Sequence, residues 1–585
     1  MATEITDSLI RVDTLEQLQE QGVKVVHGGA SPVAVFFHNG EVFAVDNRCP
    51  HMGFPLHRGT VKNGLLTCHW HEARFDLCSG CTFDLWADDV LTYETTVEDG
   101  IVYVSATPTQ DRDKAYYQQR LLKGIEQNVG LVQAKSLLGL LAADTELKDI
   151  VAQVADYAGR NLHTLSDGLT RLTCVANLYP YLDGATAYHA LYYAIRKVAE
   201  ESSMSVPRRE RGPLEGGGHA HKQLKSWLKQ WVLTRHRDAV ERTILAAIRN
   251  QWSTSELADL VFGGANERIY ADQGHLFDGF NKTMELVDLV GSGYAEQLYP
   301  LLMPNLTQAR GAEEASHWHH PVDIITPLRE MERSLPELLK HERVEAWNGH
   351  EELIPILLGE DPLAIIESLG KALSKGAPVH ELAKCVAYAA AMRLARFAIS
   401  NEVTDWFNPQ HTFIFANAVY QAVLRSPTPD VARAVFHAAI SVYMDRYLDV
   451  PPAKLPEERG ELEQLPEGQE ELLDALLALL DRRAEIDGCA GLVSRYLRLG
   501  HPVEALFNTL TYATVREDLD FHSLQVLEAG ARQYSLWEGR PEAEHILVGV
   551  VRNLAAHCPT RRAGHQTATI AHRLHRGDKI HEADE

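Results

Sequence analysis

The sequence predicts a multidomain α+β protein in which a small antiparallel β domain precedes a large all-α domain. Short β-rich runs dominate the first hundred residues, whereas helical periodicity continues almost without interruption from Ala115 to the end. The length of 585 residues also exceeds one domain, since chains hold roughly one domain per 100 to 200 residues. We therefore expect a β domain over residues 1–107, a linker over 108–114 and an all-helical domain over 115–585.

Two hairpins are predicted within the β domain. Asn39-Gly40 separates two β-rich runs, which is the strongest short-range hairpin signal. Asp99-Gly100 marks a second turn of the same kind. The polar stretch that follows carries a proline and has no apolar period, so it is expected to end the domain as the linker. The flanking runs are 32–38 and 41–45 for the first turn, and 93–97 and 101–104 for the second.

The helical part is predicted to form one large body. It contains two polar breaks, 207–218 and the Pro- and Glu-rich 450–470, and neither is long enough to act as a tether. A fixed repeat of 33 to 45 residues is missing, which argues against a regular solenoid. The clearest predicted helices are 188–200, 235–249, 382–399, 412–424 and 471–480.

Composition and charge exclude several classes of function. Asp and Glu total 80 against 56 Lys and Arg, and the net charge of −24 argues against nucleic-acid and membrane partners. The sequence lacks a run of about 18 apolar residues, and its start, MATEITD, lacks the features of a secretion signal. We therefore expect a cytoplasmic protein. Eight cysteines are too few for a disulfide scaffold, but four lie between Cys49 and Cys81, which indicates a metal site.

The motif that carries chemistry is a pair of cysteine–histidine loops. Cys49-Pro50-His51 and Cys68-His69-Trp70-His71 give C-x-H, sixteen residues, and C-x-x-H. Two thiolates and two imidazoles in this spacing suit an iron–sulfur pair with sulfur on one iron and nitrogen on the other. The alternative is a zinc ribbon or knuckle with the same four ligands, although zinc modules commonly use C-x-x-C spacing.

This motif resembles the Rieske [2Fe-2S] family, and the likeness covers about residues 8–107. The resemblance implies that Cys49 and Cys68 bind one iron, and that His51 and His71 bind the other. Replacing two thiolates by neutral imidazoles would raise the potential of the cluster and make its reduction sensitive to protons. The match also includes Gly53, Gly64, Phe75 and Asp76.

Departures from the family pattern narrow the resemblance. Rieske proteins of respiratory chains carry a further cysteine on each loop, where this sequence has Phe54 and Trp70, so it resembles the oxygenase or ferredoxin branch. Cys78-Ser79-Gly80-Cys81 is either a redox-active or metal-binding thiol pair or a tight Ser-Gly turn. The family commonly has a third, Pro-bearing loop near the cluster, and residues 83–90 do not show it. The sequence therefore does not indicate what shields this side of the cluster from solvent.

A cluster that moves single electrons needs an acceptor, and histidines of the helical part are candidate ligands for a second iron. The iron motif of ring-hydroxylating Rieske oxygenases, D-x-x-H-x4-H-like, is missing here. Several histidines instead lie in apolar helical settings, where an unpartnered imidazole is costly to bury. Each alone suits a hydrogen-bonded core residue, but together they indicate a metal. The candidates in such settings are His189, His275, His411 and His437, and the histidine run before Pro321 adds His317 and His320.

Carboxylate-bridged di-iron chemistry is a weaker alternative. Glu314 to His317 forms an E-x-x-H that would place both groups on one helix face. Such a site needs a second E-x-x-H and two more glutamates, and the other such motif, Glu542 to His545, lies in a polar segment.

The helical part also resembles questin-oxidase-like proteins, which are helical iron enzymes that cleave quinone-type rings. His411 and His522 match that pattern, and the resemblance implies a histidine-rich mononuclear iron. Gln525 stands where the family has a basic residue. Lys384, inside an apolar helix, is then a further candidate for the site.

Two functions from different classes follow from these patterns. The first is an oxygenase in which a reductase or ferredoxin reduces a [2Fe-2S] cluster. The cluster passes electrons to a non-haem iron, which oxidises a hydrophobic, aromatic or quinone-like small molecule. The second is a Rieske electron carrier or redox sensor whose helical part is a docking scaffold without a second metal. A homo-oligomer is compatible with both.

Overall fold

Every strand in the described part of the chain lies between Leu9 and Pro108, as the sequence predicts. The computed structural model describes residues 9–27, 31–206, 208–216, 218–340, 347–578 and 580. Within these residues, one antiparallel sheet has the order β1-β9-β8-β4-β3-β2, and a smaller sheet has the order β5-β6-β7. The strands are β1 Leu9–Thr14, β2 Val23–Val26, β3 Val33–His38, β4 Glu41–Asp46, β5 Thr60–Lys62, β6 Leu65–Thr67, β7 Arg74–Asp76, β8 Thr92–Glu98 and β9 Ile101–Pro108.

Both predicted hairpins are confirmed. Strands β3 and β4 pair antiparallel, and β8 pairs with β9 in the same way. The turn residues all have positive φ, with 53° and 88° at Asn39 and Gly40 and 50° and 76° at Asp99 and Gly100. Two-residue turns of this hand match the twist of the strands they join, which explains the Asn-Gly and Asp-Gly sequences.

Strand β3 divides its side chains between two cores. Ala34 and Phe36 pack in a cluster with both Cys49 and Cys68, whereas Val33 and Val35 pack in a cluster on the other face of the sheet. Successive side chains of a strand point to opposite faces, so the run VAVF is buried on both sides. The two cysteines thus lie in a hydrophobic core that the small sheet covers.

Helices account for the ordered structure after β9. The first helix after β9 is capped by Asp113, whose side chain accepts a hydrogen bond from Tyr116 N in the first turn. The helices are α1 Leu15–Gln21, α2 Lys114–Glu126, α3 Gly130–Ala142, α4 Leu147–Asn161, α5 Asp167–Leu178, α6 Gly184–Ser203, α7 His221–Leu233, α8 Arg237–Arg249, α9 Thr254–Ala265, α10 His275–Val290, α11 Ala295–Leu298, α12 Met303–Gln308, α13 Ile325–Leu338, α14 His350–Leu357, α15 Pro362–Ser374, α16 Val379–Ala395, α17 Phe407–Arg425, α18 Pro429–Met444, α19 Gln469–Leu480, α20 Ile486–Arg498, α21 Val503–Val515, α22 Phe521–Leu536, α23 Pro541–His557 and α24 Ala563–His575.

The five helices singled out in the sequence all form. Their bounds differ by up to five residues: α17 begins at Phe407 rather than 412, and α16 ends at Ala395 rather than 399. There the chain leaves the helix, and Ala398 N donates to the Leu448 carbonyl at 3.0 Å. The region 450–468 has no α-helix or strand among the residues described, as expected of the Pro- and Glu-rich break.

Helix α17 lies at the centre of the helical part. Its side chains from Pro409 to Val423 are buried with the single exception of Gln421, which is typical of a helix surrounded by others. It packs against α10, α16, α18 and α22. Among the described residues, no helix combines the length and hydropathy needed to cross a bilayer.

The chain forms two compact units with bounds that differ from the predicted linker. The first unit contains residues 1–146 and 564–585, so α2 and α3 associate with the strands, and the second contains 147–563. The β-rich run ends at Pro108 and α2 begins at Lys114, so the change of secondary structure does fall where it is predicted. The division into domains at 108–114 stays a prediction.

Candidate metal centres

The two cysteine–histidine loops begin just after strands. Cys49 lies three residues after β4, and Cys68 directly follows β6. The first loop is closed by Cys49 N, which donates to the Phe54 carbonyl at 2.8 Å, and by Gly53 N, which donates to the Cys49 carbonyl at 2.7 Å. In the second loop, Cys68 N donates to the Ala73 carbonyl at 2.8 Å. Local backbone bonds therefore fix both loops.

The four predicted ligands lie together, with sulfur inside and nitrogen outside. Cys49 and Cys68 are 3% and 2% exposed, whereas His51 is half-buried and His71 is exposed. The two imidazole rings approach edge to face, with centroids 4.9 Å apart. This arrangement presents a buried thiol pair and a more accessible imidazole pair.

The donor set fits a mixed-ligand [2Fe-2S] cluster. The hydrogen bond with Cys49 lowers the pKa of Cys68 to about 6, and the same bond raises the pKa of Cys49. Burial lowers the pKa of His51 to about 4, so its imidazole is neutral. Its Nδ1 is buried with no hydrogen-bond partner in the described part of the chain. Thiolate and neutral imidazole are the ligand forms that such a cluster requires.

Trp86 covers the side that the sequence leaves open. Its ring lies 4.6 Å from the His51 ring, at an interplanar angle of 72°. The loop that carries it is anchored by the ion pair between Arg74 and Asp84, whose atoms are 2.6 Å apart. An aromatic ring from residues 83–90, which contain no proline, thus packs against the His51 ring.

Lys135 of α3 contacts the first ligand loop. Its Nζ donates to the Pro50 carbonyl, to the His51 carbonyl at 3.0 Å and to Asp88 Oδ2 at 3.5 Å. Burial lowers the pKa of Lys135, but the Asp88 carboxylate opposes this effect. Three acceptors match the three N–H groups of an ammonium, so the contacts suit the charged form.

We expect replacement of Lys135 with methionine to lower the reduction potential of the cluster. Reduction adds negative charge, and a nearby cation stabilises it; losing that cation costs about 1 kcal/mol, or roughly 40 mV for one electron. Redox titration followed by visible spectroscopy measures the shift. Lys123→Met, at an exposed position of α2, is the matched control. An unchanged potential in Lys135→Met would contradict this role.

Cys78 and Cys81 flank a tight turn. Both are free and exposed. Ser79 N donates to Asp76 Oδ2 at 3.1 Å, and Gly80 has φ of 75°. A Cβ at Gly80 would lie 2.1 Å from the Val90 carbonyl oxygen, so only glycine fits. The geometry agrees with the Ser-Gly turn interpretation.

Three predicted histidines converge in the helical unit. The Nε2 atoms of His411 and His522 are 3.0 Å apart, and those of His522 and His275 are 3.5 Å apart. One nitrogen from each ring lies within 4.8 Å of the others, which is close enough to hold one metal ion. We call these residues the histidine triad.

Burial makes the triad suited to a metal. His411 and His522 are 9% and 8% exposed, and His275 is half-buried. Burial and the neighbouring imidazoles lower the pKa of His411 to about 2, and burial with His522 lowers the pKa of His275 to about 4. Neutral imidazole is the form that ligates metals.

Each triad residue stands at the start of a different helix. His275 is the first residue of α10, His522 is the second of α22, and His411 lies in the first turns of α17. The backbone before His275 is strained, with φ of 47° at Tyr270, 52° at Asp272 and 56° at Gln273. Such conformations cost roughly 1 to 3 kcal/mol each and persist where the surrounding structure fixes them. The strained segment 270–273 therefore fixes the position of His275 at the start of α10.

A carboxylate and two aromatic rings surround the triad. Asp520 caps α22, and its Oδ1 lies 3.2 Å from Nδ1 of His522, outside hydrogen-bond geometry. The Phe521 ring lies 5.7 Å from His275, and the Phe407 ring lies 5.7 Å from His522. The triad thus has an acidic neighbour and an apolar lining.

Three other predicted ligands are not in the triad. His189 of α6 is half-buried between Tyr188 and Tyr512, with ring centroids 5.2 Å and 6.0 Å away. His317 and His320 are exposed. The helix predicted to carry the E-x-x-H does not form, because residues 312–314 and 316–318 are separate 3₁₀ turns. A ferritin-like di-iron site is thereby excluded at this motif.

The remaining candidates have other partners. His437 is fully buried, and its Nε2 lies 2.7 Å from Glu332 Oε1, whereas its Nδ1 has no hydrogen-bond partner among the described residues. Lys384 is half-buried with its Nζ 4.3 Å from the centre of the Trp537 ring, a cation–π contact. His545 of the second E-x-x-H lies 3.1 Å from Glu457.

Trp86, Lys135 and Asp520 were not singled out in the sequence. Lys135 had a detectable signal, because it is the single charge in the apolar run GLVQAKSLLGLLA. Asp520 is recognisable as a helix cap directly before Phe521-His522. Nothing local marks Trp86, whose role depends on how its loop folds over His51.

Comparison with known proteins places the first metal centre in context. Residues 8–91 match the family model of the Rieske [2Fe-2S] domain. The 3-phenylpropionate/cinnamic acid dioxygenase ferredoxin subunit of Photorhabdus laumondii is 35% identical over 105 residues, which cover 18% of this chain and 99% of that protein. The ferredoxin component of the naphthalene 1,2-dioxygenase/salicylate 5-hydroxylase systems of Ralstonia is 29% identical, over 16% of this chain and 91% of that protein.

A third relative is matched over only part of its length. The 4β-methylsterol monooxygenase of Methylococcus capsulatus is 40% identical over 67 residues, which are 11% of this chain and 18% of that protein. Each of these alignments spans less than a fifth of this chain.

Proposed function

Because this chain belongs to the Rieske [2Fe-2S] family, we propose that it is an iron-dependent oxygenase with two metal centres. Cys49, His51, Cys68 and His71 would hold the cluster, which supplies one-electron transfer. The histidine triad would hold a non-haem iron, which supplies oxygen activation. The protein positions both sets of ligands and buries the two thiols of the first centre and two of the three imidazoles of the second.

The observation that carries the second centre is the convergence of the triad. His411 and His522 are buried and His275 is half-buried, their ring nitrogens lie 3.0 Å and 3.5 Å apart, and His411 Nδ1 has no hydrogen-bond partner in the described residues. Burying such groups is costly unless they share a ligand. Three protein ligands leave coordination positions open, as catalytic iron sites require.

The surroundings of the triad favour an apolar substrate. Phe407 and Phe521 lie against the imidazoles, so a hydrophobic, aromatic or quinone-like molecule would find complementary surface there. Asp520 would place a negative charge beside the His522 ring, since its Oδ1 lies 3.2 Å from Nδ1, and carboxylates commonly stand next to metal-bound histidines.

The relatives support an external electron donor. Two of them are named as ferredoxin components of dioxygenase systems, and such components are electron carriers that work with other proteins. In this chain the Rieske domain is followed by a helical region that contains its own candidate metal site. A reductase or ferredoxin would then supply electrons to the first centre.

Metal analysis of the purified full-length protein tests the proposal. We expect about three irons per chain for the two-centre oxygenase and about two for an electron carrier with a helical scaffold. Oxygen consumption by the reduced protein with an aromatic substrate is the second measurement. Two irons with zinc in the triad, or two irons and no further metal, would contradict the oxygenase and favour the carrier.

A further inference from the structure

A large cavity lies beside the first metal centre. Its volume is about 990 Å³, and it is lined by the Cys49 loop, by α2 and α3, and by residues at the end of α24. All of these belong to the first compact unit. Organic ligands commonly occupy pockets of roughly 300 to 1,000 Å³, so the cavity is large enough for a small molecule.

The cavity is basic in an acidic protein. It has three carboxylates, Asp46, Asp88 and Asp578, against six cations, whereas the whole chain carries −24. Low-dielectric walls concentrate such an excess charge and attract ions of opposite sign. The six cations are Arg48, Arg58, Arg112, Arg120, Lys135 and Arg576.

The carboxylates are already paired, but some cations are not. Asp46 lies 3.3 Å from Arg48, and Asp88 lies 2.6 Å from Arg120 and 3.5 Å from Lys135.

Asp578 lies 3.8 Å from Arg573. Arg58 and Arg576 are exposed, and neither side chain has a hydrogen bond or ion pair within the described part of the chain. Two guanidinium groups are therefore available to an incoming anion.

We propose that this cavity binds a small organic oxyanion, carrying phosphate or carboxylate groups. The planar guanidinium groups of Arg58 and Arg576 match both kinds of oxyanion through paired hydrogen bonds. Tyr116 and Tyr117 also line the cavity and offer aromatic surface to the rest of the molecule. This site is independent of the histidine triad and of the oxygenase proposal.

The site is coupled to the cluster by charge. Cys49 and Pro50 line the cavity, and Lys135 joins it to the ligand loop through the Pro50 and His51 carbonyls. A bound anion opposes the added negative charge of reduction, so it lowers the potential of the cluster. By reciprocity, reduction weakens anion binding by the same factor.

Calorimetric titration of the full-length, cluster-loaded protein tests the site, with inorganic phosphate, pyrophosphate and succinate as probes. Ionic strength is held constant so that screening is not mistaken for binding. We expect saturable binding that the double substitution Arg58→Ala and Arg576→Ala weakens at least about tenfold, as two lost charge-assisted hydrogen bonds imply. Arg11→Ala, exposed on β1, is the control and should bind as the unmodified protein does.

The comparison of probes identifies the ligand class. Tighter binding of the phosphates indicates a phosphate-bearing ligand, and tighter binding of succinate indicates a carboxylate. The visible spectrum of the cluster reports that the double variant is folded, and a downward shift of its potential with saturating anion is the second readout. Failure of all three probes to bind, or equal binding by the double variant, would overturn the proposal whatever the iron content of the triad.

Discussion

Replacing His411 with alanine is expected to remove the iron that exceeds the two of the cluster. Loss of a neighbour that only supports a ligand already costs about 10- to 100-fold in metal affinity, so loss of a ligand costs more. Oxygen consumption should fall with the metal, while the visible spectrum of the cluster stays unchanged. Metal analysis and spectroscopy of the same sample measure both effects.

The control for this experiment is His317→Ala, which changes an exposed histidine outside the triad. It should retain about three irons per chain. Because His411 is buried, its replacement could also unfold the helical unit, so His275→Ala at the half-buried position is the second variant. If both triad variants keep the full iron content and fold normally, the triad is not a metal site.

The second large effect is expected at Cys68. Serine at this position removes one of two buried thiolates, and the cluster, with its red-brown colour, should be lost. The helical unit should stay folded, because residues 147–563 form a compact unit of their own. Absorption spectroscopy follows the cluster, and circular dichroism follows the helices.

Cys78→Ser and Cys81→Ser are the matched controls for Cys68→Ser. Both thiols are exposed at the Gly80 turn, so their loss should leave the colour and the iron content unchanged. A bleached Cys78 or Cys81 variant would show that these thiols take part in the metal centre. A coloured Cys68 variant would contradict the ligand assignment.

The first metal centre could be predicted from the sequence because its signals are local. Asn39-Gly40 defines a hairpin by the backbone conformations that these residues favour. Only Pro50 separates Cys49 from His51, so their loop brings both ligands to the same place without help from distant elements. Side-chain alternation along β3 likewise follows from the period of a strand.

The triad could be predicted only in part. All three members were among the candidates, but so were His189 and His437, which have the same kind of apolar helical setting. Helix packing between residues far apart in sequence distinguishes the triad from the other candidates. His437 contacts the carboxylate of Glu332, 105 residues away, whereas His411 contacts the imidazole of His522. One sequence gives no measure of such packing.

The order of the chain has a consequence for biosynthesis. The first compact unit contains the initial 146 residues and the segment from Gly564 onward, with the whole helical unit between them. During translation, the last part of the unit that holds Cys49 and Cys68 is therefore made only after the helical unit has been synthesised. At about 5 to 20 residues per second this interval lasts roughly 20 to 80 seconds. Throughout it, the nascent β domain exists without the α24 segment.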